Sequence, residues 1–341
     1  MGKAERQRWS ANGQVDELLR QAATRSLTAE ELDGLRTSYT GAGGLVPVGW
    51  DRGQFFTPPV VTRFVVDLLG ITGGDVLEPS CGGGAFLHPL PAACRVQAVD
   101  ATATATRVAA LLYPTAGVRC GDALEGWDEL AGRFDFVVGN PPFVKLPKGW
   151  ARAGFPETGG QPDAVWAFIE LALRALRPDG YLAMVVSDGI LTNSRDQKFR
   201  NWILHSHRLL AVLSLPVETF LHAGTTVKTS ILVLRKRGPK TPPSTTTDQI
   251  FMGIVDDIGW NGRRRETGKC DIPELLDAWR DFVRDNHPEL AAQITARIGI
   301  QANPQMAVVP FENKPPAPTP ESESAVPLLP TGTDGQLGLF G

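Results

Sequence analysis

Apolar positions recur first at helical spacing. Within 13–37, a stretch that reads as two short helices, Val15, Leu18, Leu19 and Ala22 share one face. Thr28 followed by Glu31 forms a capping box that starts the second helix. A further helix is predicted over 59–69, with Val60, Phe64, Val65 and Leu68 as its buried stripe. From Gly74 onward, short apolar runs alternate with helical stretches. Strands are predicted at 75–78, 95–100, 118–121, 134–139, 181–187, 209–215 and 229–235. The clearest helix spans 163–176, where Val165, Phe168, Ile169, Ala172 and Leu176 fall on one face and Pro178-Asp179-Gly180 follows as a stop signal. Ser194 and Gln197 suit a capping box for the next helix. The alternation predicts an α/β class: a doubly wound, mostly parallel sheet of seven strands covered on both faces.

Residues 236–249 are a polar, Pro-rich connector, and order is expected to return over 250–300 with a helix from Asp271 that carries Leu275, Leu276, Trp279 and Phe282. From about Asn303 the composition turns Pro-rich and polar, so the tail is expected to be disordered. The predicted organisation is a short helical segment (1–50), a main domain (51–236), a connector with a helical extension (237–302) and the tail (303–341).

Composition narrows the class. With 34 Lys+Arg against 37 Asp+Glu, the net charge of −3 disfavours a protein that coats nucleic acid non-specifically, while a local basic groove stays allowed. The four cysteines, at 81, 94, 120 and 270, form no CxxC pair and no zinc spacing, so neither disulfides nor a metal site is expected. The five histidines show no metal pattern either. The first residues lack the apolar core of a signal peptide, and no apolar run approaches the ~20 residues that span a bilayer, so a cytoplasmic chain is expected.

The chemistry concentrates at predicted strand ends. Leu77-Glu78-Pro79-Ser80-Cys81-Gly82-Gly83-Gly84-Ala85-Phe86 sits where the first strand turns into a first helix, the ligand crevice of an open α/β sheet. Glycines there admit a ligand close to the backbone, although such a turn also suits a dinucleotide or tight packing alone. Glu78 is placed to meet a cation or a hydroxyl group. Asp100 ends the second strand, where an acidic group holds ribose hydroxyls, and Asp122 follows the third, beside a base edge. Both also suit helix caps. The fourth strand runs into Asn140-Pro141-Pro142-Phe143. The two prolines stiffen the exit and remove two donors, so the Asn140 side chain and the Pro141 carbonyl form a pair of acceptors for an amino group with two hydrogens. Phe143 offers a flat face for stacking. A rigid strand exit with a core Phe is the alternative.

Taken together, Phe56-Thr57-Pro58, Glu78-Pro79-Ser80-Cys81-Gly82-Gly83-Gly84, Asp100, Asp122 and Asn140-Pro141-Pro142-Phe143 resemble the ordered motifs of adenine-N6 DNA methyltransferases that use S-adenosylmethionine. The subgroup is that of the modification subunits of type I restriction systems, and the similarity runs over about 50–285, including 253–271. The resemblance implies a cofactor site at Phe56, Thr57, Pro58, Glu78, Pro79, Ser80, Gly82, Gly84, Asp100 and Asp122. It implies catalysis at Asn140, Pro141, Pro142 and Phe143 on an adenine flipped out of double-stranded DNA, with Phe143 and Phe220 stacking on the base, a core phenylalanine being the alternative at Phe220. Basic residues around 145–152, 195–200, 235–237 and 263–265 suit phosphate contacts, although such clusters are more often a solvated face. The chain departs from the family in having only about fifty residues before Phe-Thr-Pro and 105 after Lys236, which leaves a separate DNA-specificity subunit as an expected partner. The same acceptor pair also serves methylation of an amino group on RNA or of a protein glutamine, and a catalytically dead assembly subunit would have no reason to keep it. Finally, Gln336, Leu337, Leu339 and Phe340 near the C-terminus resemble the peptide by which bacterial replication and repair proteins dock on the sliding clamp, which implies a bacterial, phage or plasmid setting.

Overall fold

A helical hairpin leads the described chain. In the computed structural model, residues 3–40, 56–146, 155–158, 163–221, 223, 225–241, 248–263 and 265–298 are described, the side chains from residue 13 onward. The expected tail, with Gln336, Leu337, Leu339 and Phe340, lies outside them. Helices α1 (Lys3–Ala22) and α2 (Ala29–Thr40) pair with one another. The expected capping box is present: Glu31 N donates to Thr28 Oγ1 at 3.2 Å, and Thr28 N donates to Glu31 Oε2 at 2.8 Å.

Helix α3 (Pro59–Leu68) precedes β1 (Gly74–Glu78) and β2 (Cys94–Asp100). Then come α4 (Ala103–Leu112), β3 (Gly117–Cys120), α5 (Trp127–Leu130) and β4 (Phe134–Gly139). Helix α6 (Ala164–Ala175) passes directly into β5 (Leu176–Ser187), followed by α7 (Asp188–Thr192), α8 (Gln197–Ser206) and β6 (Arg208–Leu215). The remaining elements are β7 (Thr229–Arg235), β8 (Phe251–Ile254), α9 (Ile272–Asn286) and α10 (Pro288–Ile298).

The sheet has eight strands in the order β3-β2-β1-β4-β5-β7-β6-β8. All neighbours are parallel except β7, which runs antiparallel to both β5 and β6. The expected α/β sheet is therefore present, with one strand more than the seven predicted. The extra strand, β8, has four residues at a sheet edge: Phe251 and Gly253 face α9, while Met252 and Ile254 stand 69 % exposed. Apolar residues on both faces of so short a run erase the alternation that marks a strand.

Side chains alternate across the sheet, as the pleat requires. Val76, Val138, Val185 and Val233 join the core under α3, α9 and α10. Leu77, Val137, Met184 and Leu232 join the core under α6 and α8. Trp279 of α9 is fully buried and donates its indole N–H to Leu68 O at 2.9 Å, tying the C-terminal helices to α3. The hairpin docks on α4 through Leu35, Tyr39, Ala105 and Val108, and Arg107 Nη2 donates to Leu19 O at 2.6 Å.

Two local expectations change. Asp196, the residue that closes a 3-10 turn at Ser194–Asp196, accepts from buried Trp166 Nε1 at 3.0 Å, and Ser194 makes no cap hydrogen bond. α6 stops at Ala175, ahead of Pro178-Asp179-Gly180 as expected, but that turn lies inside β5, where Asp179 adopts φ 67° and accepts from Thr241 Oγ1 at 2.5 Å. No helix among the described residues is long and apolar enough to cross a membrane.

Candidate active site

The sheet order reverses between β1 and β4, whose neighbours β2 and β5 lead away in opposite directions. Two crossovers diverging from adjacent strands leave a crevice at their C-terminal ends. The residues there come from six segments. The helix expected after β1 is absent among the described residues: the chain runs in turns over 79–90, through Gly82 (φ 50°) and Gly84 (φ 88°), left-handed values that favour glycine. A Cβ on Gly84 would lie 2.6 Å from the Tyr113 ring, so this glycine lets the loop pack against α4's end. Gly82 instead faces the crevice, 3.6 Å from the Phe56 ring in the same construction.

Asp100 organises the turn. Its Oδ2 accepts from Gly82 N and its Oδ1 from Thr102 N, both at 2.8 Å. Asp100 is not the helix cap that it also suited, because the residue preceding α4 is Thr102 and that helix has no side-chain cap; its carboxylate lines the cleft instead. Asp122 lines it too and holds its own turn by accepting from Leu124 N at 2.8 Å.

Glu78 is 2 % exposed at the cleft floor, and its Oε2 has no hydrogen-bond partner among the described residues. Burial, reinforced by the negative charge of Asp100, pushes its carboxyl well above the usual carboxylate range. A buried, unpartnered acceptor facing a cleft is costly unless a ligand donates to it. Burial likewise raises the thiol of Cys81 beside it, so that sulfur stays protonated and unreactive.

From β4, Asn140 enters the same cleft. Its Nδ2 donates to Thr57 Oγ1 at 3.1 Å, and its main-chain carbonyl accepts from Ser80 Oγ at 3.4 Å. Residues 57, 80 and 140, far apart in sequence, therefore meet at one point. Phe56 is braced from behind by Tyr39 of the hairpin, ring centroids 5.4 Å apart and planes at 64°. The cleft opens to solvent at its mouth.

Of the residues expected at the site, Phe56, Thr57, Glu78, Pro79, Ser80, Gly82, Asp100, Asp122, Asn140 and Pro142 line this one cleft. Pro58 sits behind it as the residue preceding α3, Pro141 is buried in the strand exit, and Gly84 turns its back to α4. Phe143 is half-buried and packs against both cores. Phe220 is a correction: a 3-10 turn over Val217–Phe220 directs its ring into the core, where it is 0 % exposed, so it has no face to offer a base. Phe86, the last residue of the Gly-rich motif, lines the cleft, and so does Phe168, which was expected only as part of a buried helix stripe. Phe168 belongs to the buried stripe of α6, and helical spacing alone does not separate a cleft wall from core.

One basic cluster is also displaced. Because β7 runs antiparallel, Arg235 pairs with Tyr181 and Arg208, at the strand ends opposite the cleft. There Arg235 holds Glu289 at 2.7 Å and Lys236 Nζ donates to Leu176 O at 2.6 Å. Arg195 lies on the cleft side in an ion pair with Asp163 at 2.6 Å, while Lys148, Arg152 and Arg264 lie outside the described residues. Among the described residues, no cluster of His, Cys, Asp or Glu could hold a metal ion.

Comparison with known proteins adds an independent line. The sequence model of the family described as N-6 DNA Methylase matches residues 109–302, leaving the segments from Phe56 to Asp100 before the matched span. The "Defense against restriction protein B" of Escherichia phage P1 is 26 % identical over 246 residues, covering 68 % of this chain and 10 % of that protein. The "Type I restriction enzyme EcoEI methylase subunit" of Escherichia coli is 26 % identical over 222 residues, covering 55 % of this chain and 44 % of that subunit. The chain thus spans less than half of either relative. Among solved structures, the type I restriction-modification system methyltransferase subunit of Streptococcus thermophilus superposes with a TM-score of 0.56 at 18 % identity, covering 68 % of this chain and 54 % of that one. That likeness is one of fold.

Proposed function

The chain belongs to the N-6 DNA methylase family, and on that premise we propose that it transfers the methyl group of S-adenosylmethionine to the N6 amino group of an adenine in double-stranded DNA. The observation that carries the reading is the meeting of Thr57, Ser80 and Asn140 at the switch-point cleft. The residues present fit the cofactor. Buried Glu78 has an acceptor atom awaiting a donor, Gly82 opens the backbone to a ligand, and Asp100 and Asp122 line the rim. These four, with Phe56, Thr57, Pro79 and Ser80, would hold it, while Pro58 and Gly84 shape the cleft from behind.

Bound there, S-adenosylmethionine supplies a methyl group on a positively charged sulfur, already a strong electrophile. The amino nitrogen of adenine is a poor nucleophile because its lone pair is delocalised into the ring. Asn140 Oδ1 and the Pro141 carbonyl accept its two hydrogens and draw the nitrogen toward a tetrahedral geometry. Acceptors placed where positive charge develops lower the barrier without a strong base. Pro141 and Pro142 keep that strand exit rigid. The base has to leave the duplex to reach these acceptors, so it is flipped out, and Phe143 stacks on its face.

We assign 51–236 as the catalytic domain and 237–302 as an extension packed on it. Since the E. coli relative is a methylase subunit, a separate DNA-specificity subunit is the partner we expect. Gln336, Leu337, Leu339 and Phe340 would dock the enzyme on a bacterial sliding clamp. A peptide of residues 325–341 should bind a clamp measurably, and a Leu339→Ala, Phe340→Ala peptide should not; equal behaviour removes this part.

The test of the function is sequencing, with a readout of modified adenines, of DNA from cells that express the chain with and without a type I specificity subunit. Modified adenines at a defined site, absent with Asn140→Ala, are expected. Unmodified DNA under both conditions, with methylated RNA or protein glutamine in its place, would replace adenine by that substrate.

A further inference from the structure

We infer that Thr57 is a positioning residue for the acceptor amide of Asn140, and that its hydroxyl links the cofactor end of the cleft to the target end. The inference rests on the adenine methylation proposed above. Thr57 lies directly before Pro58, the residue that precedes α3, so its hydroxyl stands one position outside the cap of that helix. α3 starts without any side-chain cap, and the amides of Val61 and Thr62 donate to Pro58 O at 3.0 and 3.1 Å. The hydroxyl instead accepts the Asn140 Nδ2 hydrogen at 3.1 Å, across 83 residues of sequence. Thr57 is 3 % exposed, so water does not compete for this contact.

The consequence follows from the chemistry of an amide. Its two ends differ, one donating and one accepting. With Nδ2 given to Thr57, Oδ1 is the end left to face an amino group, which needs an acceptor. Turned the other way, Asn140 would present two more donors to a donor. Ser80 Oγ meanwhile holds the main-chain carbonyl of the same residue, at 3.4 Å. Both hydroxyls come from segments that line the cleft beside Gly82 and Asp100. A ligand that orders those segments therefore also orders the acceptor, and the two substrates are coupled through Asn140.

The experiment compares wild type, Thr57→Val, which keeps the shape and loses the hydroxyl, and Thr57→Ser, which keeps the hydroxyl. The full-length chain is labelled with 15N-asparagine and the Asn140 side-chain amide is assigned by its loss in Asn140→Ala. In wild type and Thr57→Ser one amide proton should be shifted downfield and slow to exchange, and in Thr57→Val it should lose both properties. In methyl transfer, Thr57→Val should lower kcat at saturating cofactor about tenfold, the worth of roughly one hydrogen bond. Its calorimetric cofactor Kd should change by less, and Thr57→Ser should recover kcat to within about threefold. Thermal melts verify that each variant is folded, with Thr57→Ala as the substitute if Thr57→Val is not. Asn140 amide signals unchanged in Thr57→Val, or a loss confined to Kd, overturn the inference. A wild-type chain that methylates no DNA overturns the proposed function instead, and the amide spectrum then decides the contact by itself.

Discussion

Replacing Asp100 by asparagine probes the turn that shapes the cleft. The carboxylate spends one oxygen on Gly82 N and the other on Thr102 N, both at 2.8 Å. Asparagine fills the same space but turns one acceptor into an NH2 group. One of the two backbone amides then faces a donor. A hydrogen bond to a charged group is worth about 1.5–3 kcal/mol, and a buried amide left unpaired costs a similar amount. Asp100 is only half-buried, so water recovers part of this, and the expected loss is about 2 kcal/mol. For a chain of this size that lowers the melting temperature by roughly 3 °C. Because the same turn carries Gly82 into the cleft, cofactor affinity should fall about tenfold or more. The increase in melting temperature caused by saturating S-adenosylmethionine should shrink correspondingly. The assay is a pair of melts for each protein, without and with cofactor, supported by calorimetry. Asp122→Asn, which disturbs a single amide contact to Leu124 N, serves as the milder comparison. If Asp100→Asn melts within 1 °C of wild type and binds cofactor equally, the account of this turn is wrong.

Asn140→Ala should reduce methyl transfer a hundredfold or more, about 3 kcal/mol of transition-state stabilisation, with cofactor affinity measured by calorimetry nearly unchanged; activity within a few-fold of wild type would refute the acceptor role. Glu78 has a folded-state pKa raised by burial and then by Asp100, so its contribution to stability is full below the ordinary carboxylate range and is lost as pH rises toward the folded value. Ligand-free Glu78→Gln should therefore gain melting temperature over wild type as pH rises through that window, while binding cofactor more weakly; parallel curves at all pH values would contradict the burial argument. Gly84→Ala places a Cβ 2.6 Å from the Tyr113 ring at φ 88° and should cost about 2–4 kcal/mol in urea unfolding, with Tyr113→Leu in the same chain recovering only the part due to the clash.

What the sequence determined by itself was local. Strands β4 and β7 lie at the predicted bounds, as short apolar runs of strand length bounded by turn residues. The Thr28–Glu31 box formed because both partners lie within one helical turn. The motif residues of the cleft were legible because a Gly-rich turn and a strand ending in Asn-Pro-Pro are written in consecutive letters. The tertiary structure alone decided what depends on direction and distance. The antiparallel course of β7 carries Arg235 and Lys236 to the end of the sheet away from the cleft, and hydrophobic alternation is identical for either strand direction. Phe220 faces inward because a 3-10 turn aims it there, although a buried and a stacking phenylalanine are the same letter. The burial of Glu78, which raises its pKa, arises from neighbours supplied by separate strands. The Thr57–Asn140 contact spans 83 residues. Period and caps act over a few residues and survive in the one-dimensional pattern. Pairing direction, desolvation and side-chain contacts between distant segments come into being only when the sheet closes over its helices.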